Sequence, residues 1–259
     1  MSHPLITRLR AAGCVFAEDE AALILSTART PADAEAMAGR RAAGLPLEHV
    51  LGWAEFHGLR MAVEAGVFVP RRRTEFLAAR AAALAAPGSV VLDLCCGTGA
   101  LGAAVAAAVD GIELHAADID PAAVRCARRN LAPFGGRVHE GDLYAPLPGS
   151  LRGRVDVLIA NAPYVPSGEI ALLPSEARDH EPLVALDGGS DGLAVQRRVA
   201  AAAREWLAPG GHLLVETGAR QAALTAALFT AGGLEPSVAV CEERGATVVI
   251  GKRPGTRRR

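Results

Sequence analysis

Apolar positions along the first 50 residues recur at helical spacing. A run from Pro4 to Ala12 is followed by one from Glu18 to Thr27. Thr30-Pro31-Ala32-Asp33 then reads as a helix start, with Thr30 as N-cap, a proline at the first helical position and an acid three residues after the cap. That helix is expected to stop near Gly44, since Pro46 cannot continue it. Residues 55–69, rich in Val, Phe and Gly, read as two short strands of a hairpin. Residues 1–68 are therefore expected to form a small, mainly helical N-terminal domain.

From Thr74 the pattern changes. A helix-like stretch from Phe76 to Ala85 leads through Pro87-Gly88 into the apolar run Val90–Leu94. Further short apolar runs lie at 112–117, 155–160 and 212–216, and a third strand region ends at Glu140-Gly141-Asp142. Between the runs lie helix-like stretches at 100–109, 121–131 and 191–207. In the last of these Val195, Val199, Ala202 and Trp206 recur at helical spacing. Strands alternating with helices imply an α/β fold built from parallel βαβ units with right-handed crossovers. Leu234–Val240 and Ala246–Lys252 read instead as two strands joined by a turn near Arg244-Gly245, so the parallel sheet is expected to close with an antiparallel hairpin. The fold expected for residues 69–259 is a single α/β domain. The last residues, GTRRR, read as a solvated, disordered end.

Composition narrows the field. The 259 residues are 51% hydrophobic and 21% charged, ordinary for a globular protein with one large domain and a small one. The formal net charge of −1 points to neither nucleic acid nor an acidic membrane as partner. The five cysteines, at 14, 95, 96, 126 and 241, are odd in number and lack the spacing of a disulfide framework or a zinc site. The N-terminus lacks the apolar core of a signal peptide and no apolar run is long enough to span a membrane, so a cytoplasmic location is expected.

Residues 90–99, VVLDLCCGTG, place a buried strand directly before a glycine-bearing turn and a helix. Ligands of open α/β sheets sit at the carboxyl ends of the strands. Gly97 and Gly99 let the backbone approach such a ligand, and the helix start near Ala100 offers free N–H groups suited to a carboxylate. Cys95 and Cys96 read as small packed residues of the turn, not as a redox pair. Asp118, about 20 residues on, ends the next strand and can take both hydroxyls of a ribose. Asp142, past the third strand region, can accept an adenine amino group. The acids in series favour a ribose-containing cofactor; the missing third glycine and second nucleotide half argue against a dinucleotide.

The fourth strand runs into Asn161-Ala162-Pro163-Tyr164. An amide nitrogen is a poor nucleophile, because its lone pair is delocalised into the carbonyl. The Asn161 side-chain oxygen and the backbone carbonyl of residue 162 can hold such an NH2 group and aim its lone pair at an electrophilic methyl. Tyr164 can stack on the flat amide and exclude water, with its face near a sulfonium charge.

Taken together the chain resembles the HemK/PrmC protein-(glutamine) methyltransferases, which methylate the glutamine of the Gly-Gly-Gln motif of peptide chain release factors. The likeness covers most of the chain: PLEHVLGWAEFHGLRMAV, GVFVPRRRTEFL, VLDLCCGTGALG, AADIDPAAVRCARRN, NAPYVP, EARDHEPLVALDGGSDGL and LAPGGHLLVETGARQ. It implies the Rossmann-like class I methyltransferase fold, a seven-stranded, mainly parallel sheet. It implies S-adenosyl-L-methionine as cofactor, with contacts from Cys95, Cys96, Gly97, Thr98, Gly99, Asp118, Asp142 and Asn161. It implies amide contacts from Asn161, Ala162, Pro163 and Tyr164, and recognition of a protein substrate by the N-terminal helices. The family signature is Asn-Pro-Pro-Tyr. Ala162 replaces its first proline and keeps the carbonyl, Pro163 still favours an extended backbone at 162, and only the locked φ of residue 162 is lost. With the CCGTG turn, this marks a divergent branch.

Of the remaining residues, Arg71, Arg72 and Arg73 read as a solvated loop in preference to a substrate contact, His180 and Glu181 as structural or lid residues of a loop, and Trp53 and Phe56 as packing anchors. Two other functions compete. An adenine-amino methyltransferase of DNA or RNA faces the same electronic problem at nitrogen, but the chain shows no basic groove. A catalytically inactive binding module of the same fold has Ala162 as its support.

Overall fold

The computed structural model describes residues 4–255; the basic tail read as disordered lies, from residue 256 on, outside them. Four helices open the chain: α1 (Pro4–Ala11), α2 (Ala17–Thr27), α3 (Pro31–Ala42) and the short α4 (Leu47–Leu51). The Thr30 hydroxyl oxygen accepts the Asp33 N–H at 3.1 Å, so the cap expected there is formed. Leu5, Leu9, Ile24 and Met37 bury the apolar stripes of α1–α3 against one another in a core of their own.

A two-stranded hairpin follows, β1 (Trp53–Phe56) and β2 (Leu59–Ala62). It lies earlier than residues 55–69 because its turn is His57-Gly58, with φ of 52° and 76°. Two left-handed residues in a two-residue loop match the right-handed twist of paired strands. Phe56 and Met61 are buried among residues of the following α/β part of the chain such as Leu77 and Leu101.

The remaining elements are α5 (Glu75–Ala82), β3 (Val90–Leu94), α6 (Ala100–Ala108), β4 (Glu113–Asp118), α7 (Pro121–Leu131), β5 (Arg137–Glu140), β6 (Val155–Ala160), α8 (Ser175–His180), α9 (Ala194–Trp206), β7 (Leu207–Thr217), α10 (Ala222–Ala231), β8 (Glu235–Cys241) and β9 (Ala246–Lys252). The sheet order is β5-β4-β3-β6-β7-β9-β8. All neighbours run parallel except β9, which is antiparallel to both β7 and β8. Two apolar cores pack on the one sheet, one with α9 and α10 and the other with α5, α6 and α7, and all five residues of β3 are buried, as expected of a strand with helices on either side. His180 and Glu181 depart from the loop expected: His180 ends α8 and Glu181 caps it as a buried residue.

The chain builds β3, β4 and β5 toward one edge and then returns to place β6 on the other side of β3. That reversal leaves a crevice above the carboxyl ends of β3 and β6, the place where open α/β sheets bind ligands.

Candidate active site

A cleft opens at this reversal. Cys95, Cys96, Gly97 and Thr98 from the β3 turn line it, with Asp118 from the end of β4, Asp142 beyond β5 and Asn161 beyond β6. The two glycines of the turn serve different ends. A Cβ on Gly97, at φ +53°, would meet nothing within 4 Å, so its backbone faces open space. A Cβ on Gly99 would stand 3.0 Å from Leu131 Cγ and 3.3 Å from Ala127 Cβ. Gly99 is absent from the cleft wall; it lets α6 close on α7.

Asp118 holds this turn from the neighbouring strand. Its Oδ2 accepts the Gly97 N–H at 2.8 Å and its Oδ1 the Asp120 N–H at 2.9 Å. Each oxygen retains a lone pair for a further donor. Burial pushes the carboxyl up, and the bonds from the Asp120 and Gly97 amides oppose that rise. Asp120, which the sequence reading passed over, also lines the cleft while its Oδ1 caps α7 by accepting the Ala122 N–H at 2.9 Å. An Asp-Pro pair at a helix start was the available signal for it.

Three non-glycine residues have positive φ among the described residues: His57, Cys95 (55°) and Leu143 (48°). Cys95 and Leu143 both line the cleft. Unfavourable backbone held at strand ends around one cavity is a mark of a functional site. Both thiols of the turn are free and pushed up by burial, which leaves them unreactive, as expected.

A second cavity adjoins the first through Asn161, Pro163, Phe68 and Ala185. Ala162 and Tyr164 line this second chamber and not the cleft, so the Asn-Ala-Pro-Tyr segment is the partition between the two. The Asn161 Oδ1 is buried without a hydrogen-bond partner. No cis peptide occurs among the described residues, so Ala162-Pro163 is trans. Gln221 fastens the segment from below, its Nε2 donating to the Tyr164 carbonyl at 3.0 Å.

Two of the three arginines at 71–73 leave the role of a solvated loop. Arg73 donates to Glu216 Oε1 at 3.2 Å and to the Tyr164 hydroxyl at 2.7 Å, and Tyr164 donates to the same Glu216 oxygen at 3.2 Å. Arg71 donates to Glu181 Oε2 at 2.6 Å, and Glu181 is buried. Both arginines line the second chamber. Burial, with Glu216 alongside, pushes the Tyr164 phenol up to about 12, so the ring stays neutral. Trp53 and Phe56 hold to packing: Trp53 lies under the Arg60 guanidinium, and Phe56 is fully buried beneath the cleft.

The sequence pattern of the methyltransferase small domain matches residues 59–173. A release factor glutamine methyltransferase of Geobacter sulfurreducens is 36% identical over 221 residues, 85% of this chain and 77% of that protein. This chain belongs to the release factor glutamine methyltransferase family. A 4-amino-L-phenylalanine/4-methylamino-L-phenylalanine methyltransferase of Streptomyces pristinaespiralis is also similar, 38% identical over 201 residues, 75% of this chain and 68% of that one. Among solved structures, a methyltransferase from Pyrococcus furiosus superposes with a TM-score of 0.57 at 17% identity, covering 76% of this chain and 90% of that one. That likeness establishes the class I methyltransferase fold.

The cofactor of this family member is S-adenosylmethionine. The residues present fit it. The cleft walls carry the carboxylates of Asp118, Asp120 and Asp142 against one guanidinium, that of Arg198, which suits a ligand bearing a sulfonium and an ammonium. The buried Asn161 oxygen at the junction of the chambers is an acceptor with no donor among the described residues. No helix among the described residues is long and apolar enough to cross a membrane.

Proposed function

We propose that this enzyme methylates the side-chain amide nitrogen of a glutamine in a protein, with a peptide chain release factor as substrate. The observation that carries the reading is the partition: one acceptor oxygen, Asn161 Oδ1, buried and unpaired among the described residues, between the carboxylate-lined cleft and a second chamber. In this reading the glutamine enters the second chamber and its NH2 group donates to Asn161 Oδ1 and to the Ala162 carbonyl. The two bonds hold the amide plane and turn the nitrogen lone pair toward the first chamber. The bound cofactor supplies a methyl group made electrophilic by its sulfonium. No general base is required before transfer, because the amide proton becomes acidic only once nitrogen carries the methyl. Tyr164 covers the flat amide and keeps water away.

Asp118 takes the ribose hydroxyls, Asp142 the adenine amino group, and the 95–98 turn the backbone-side contacts. Residues 1–68 form the unit that recognises the protein substrate, linked to the second chamber by the Arg41–Glu176 ion pair at 2.6 Å. Five free cysteines accord with a reducing, cytoplasmic setting. Direct nucleic-acid binding is disfavoured by a net charge of −1.

Incubation with isotopically labelled S-adenosylmethionine and candidate release factors, then mass spectrometry of the labelled peptide, tests the proposal. A single label on a glutamine side chain supports it. Transfer to free 4-amino-L-phenylalanine with none to any release factor overturns the protein substrate.

A further inference from the structure

Asp142 is held from the opposite wall of the cofactor cleft. Its Oδ2 accepts a hydrogen bond from Arg198 Nη2 at 2.6 Å, and its Oδ1 has no partner. Arg198 is the one cationic side chain lining the cleft among the described residues.

The pair joins two rigid parts. Asp142 lies between Gly141, at φ 152°, where a Cβ would stand 3.0 Å from Pro146, and Leu143, at φ 48°. That loop is also bolted to α9 in the interior, where the Tyr144 hydroxyl donates to the Val199 carbonyl at 2.9 Å and its ring stacks on Trp206 at 5.5 Å. Arg198 therefore approaches on a helix already fixed to the loop, one turn after Val195, which lines the same cleft. The half-exposed carboxylate is biased by this one bond, which leaves its other oxygen as the acceptor turned to a ligand.

We propose that Arg198 is a positioning residue of the cofactor's base subsite: it fixes Asp142 by Oδ2 and so presents Oδ1 to the exocyclic amino group of the purine. This rests on the assignment of Asp142 to adenine. It adds that recognition of the amino group depends on a residue 56 positions away, on the helix facing that loop.

Calorimetry of the full chain with S-adenosylhomocysteine and with S-inosylhomocysteine, which carries an oxo group for the amino group, tests it without turnover. The wild type is expected to favour the adenosyl ligand at least about tenfold. Arg198→Ala should lower adenosyl affinity severalfold and shrink that preference toward unity, with Arg198→Lys between the two. Equal weakening of both ligands in Arg198→Ala, or an unchanged preference, overturns the role of Arg198. An unchanged preference in Asp142→Ala overturns the adenine assignment itself. Loss of preference in Asp142→Ala but not in Arg198→Ala leaves that assignment standing and overturns only the inference.

Discussion

Tyr164 donates its hydroxyl to Glu216 Oε1 at 3.2 Å, across a contact between residues 52 positions apart. Glu216, near the end of β7, is buried, and its Oε2 has no partner among the described residues. Arg73 bonds both members, so the orientation of the ring over the second chamber is set by a carboxylate and a guanidinium outside the Asn-Ala-Pro-Tyr segment.

Tyr164→Phe keeps the ring and removes its anchor. Two hydrogen bonds go, the one its hydroxyl donates to Glu216 and the one it accepts from Arg73, together about 1–2 kcal/mol, and methyl transfer should fall roughly five- to thirtyfold. Glu216→Ala should do more: it frees the ring and leaves Arg73 without its counter-charge, and about 2–3 kcal/mol of stability should go with it. Steady-state turnover and thermal unfolding check both. A Tyr164→Phe enzyme slower than Glu216→Ala would contradict this order.

Asn161→Ala removes the buried acceptor and nothing that supports the fold, since no protein group bonds to its Oδ1. Methyl transfer should fall by at least about a hundredfold, as for loss of one preorganised polar group at a reacting centre. Cofactor affinity, read by calorimetry, should change less than about threefold, because Asp118, Asp142 and the 95–98 turn remain. Transfer at the wild-type rate would remove Asn161 from the chemistry.

Most strands of the sheet were plain in the sequence because they are apolar runs bounded by Gly, Pro or a helical period; Val155–Ala160 and Ala246–Lys252 fall where the pattern puts them, whereas β5, Arg-Val-His-Glu, carries no such run. Asp118 was legible because it stands at a fixed distance after the glycine turn. Arg73 was not. Its partners are 91 and 143 residues distant, and no local pattern distinguishes such an arginine from a solvated one. Arg198 was hidden for the same reason, on the polar face of an amphipathic helix. Gly99 was legible as a glycine that matters, but only the packing of Leu131 and Ala127 shows the close helix contact it permits.

Asp93, under the turn, is fully buried. Its Oδ2 accepts the Gly102 N–H at 3.0 Å and its Oδ1 is unpaired. Burial pushes its carboxyl from an ordinary 3.8 up to about 7. A folded-state value above the unfolded one means that, between about pH 4 and pH 7, the folded chain keeps a proton that the unfolded chain releases. Stability from this group is therefore full below pH 4, declines as pH rises to 7 and is level above it, a total on the order of 4 kcal/mol. Asp93→Asn removes the ionisation. Thermal melts from pH 4.5 to 8 should show the variant gaining on the wild type as pH rises; a constant difference would place the proton elsewhere.

Arg41 joins the N-terminal helices to the wall of the second chamber. It donates to both oxygens of Glu20, at 2.7 and 3.1 Å, and to Glu176 at 2.6 Å, and the Arg41 and Glu20 side chains are each only 11% exposed. Arg41→Ala leaves the Glu20 carboxylate nearly buried without a counter-charge, and about 3 kcal/mol should be lost. That loss would obscure any effect on substrate, so Glu176 is the cleaner probe. Its side chain is 44% exposed, and Glu176→Gln should shift stability by less than about 1 kcal/mol. Because Glu176 lines the second chamber on α8, the same change loosens the link between α3 and the chamber wall. The KM for the protein substrate should rise severalfold while the KM for S-adenosylmethionine and the turnover at saturation stay within about twofold. An unchanged KM for the protein would detach the N-terminal helices from substrate recognition through this contact.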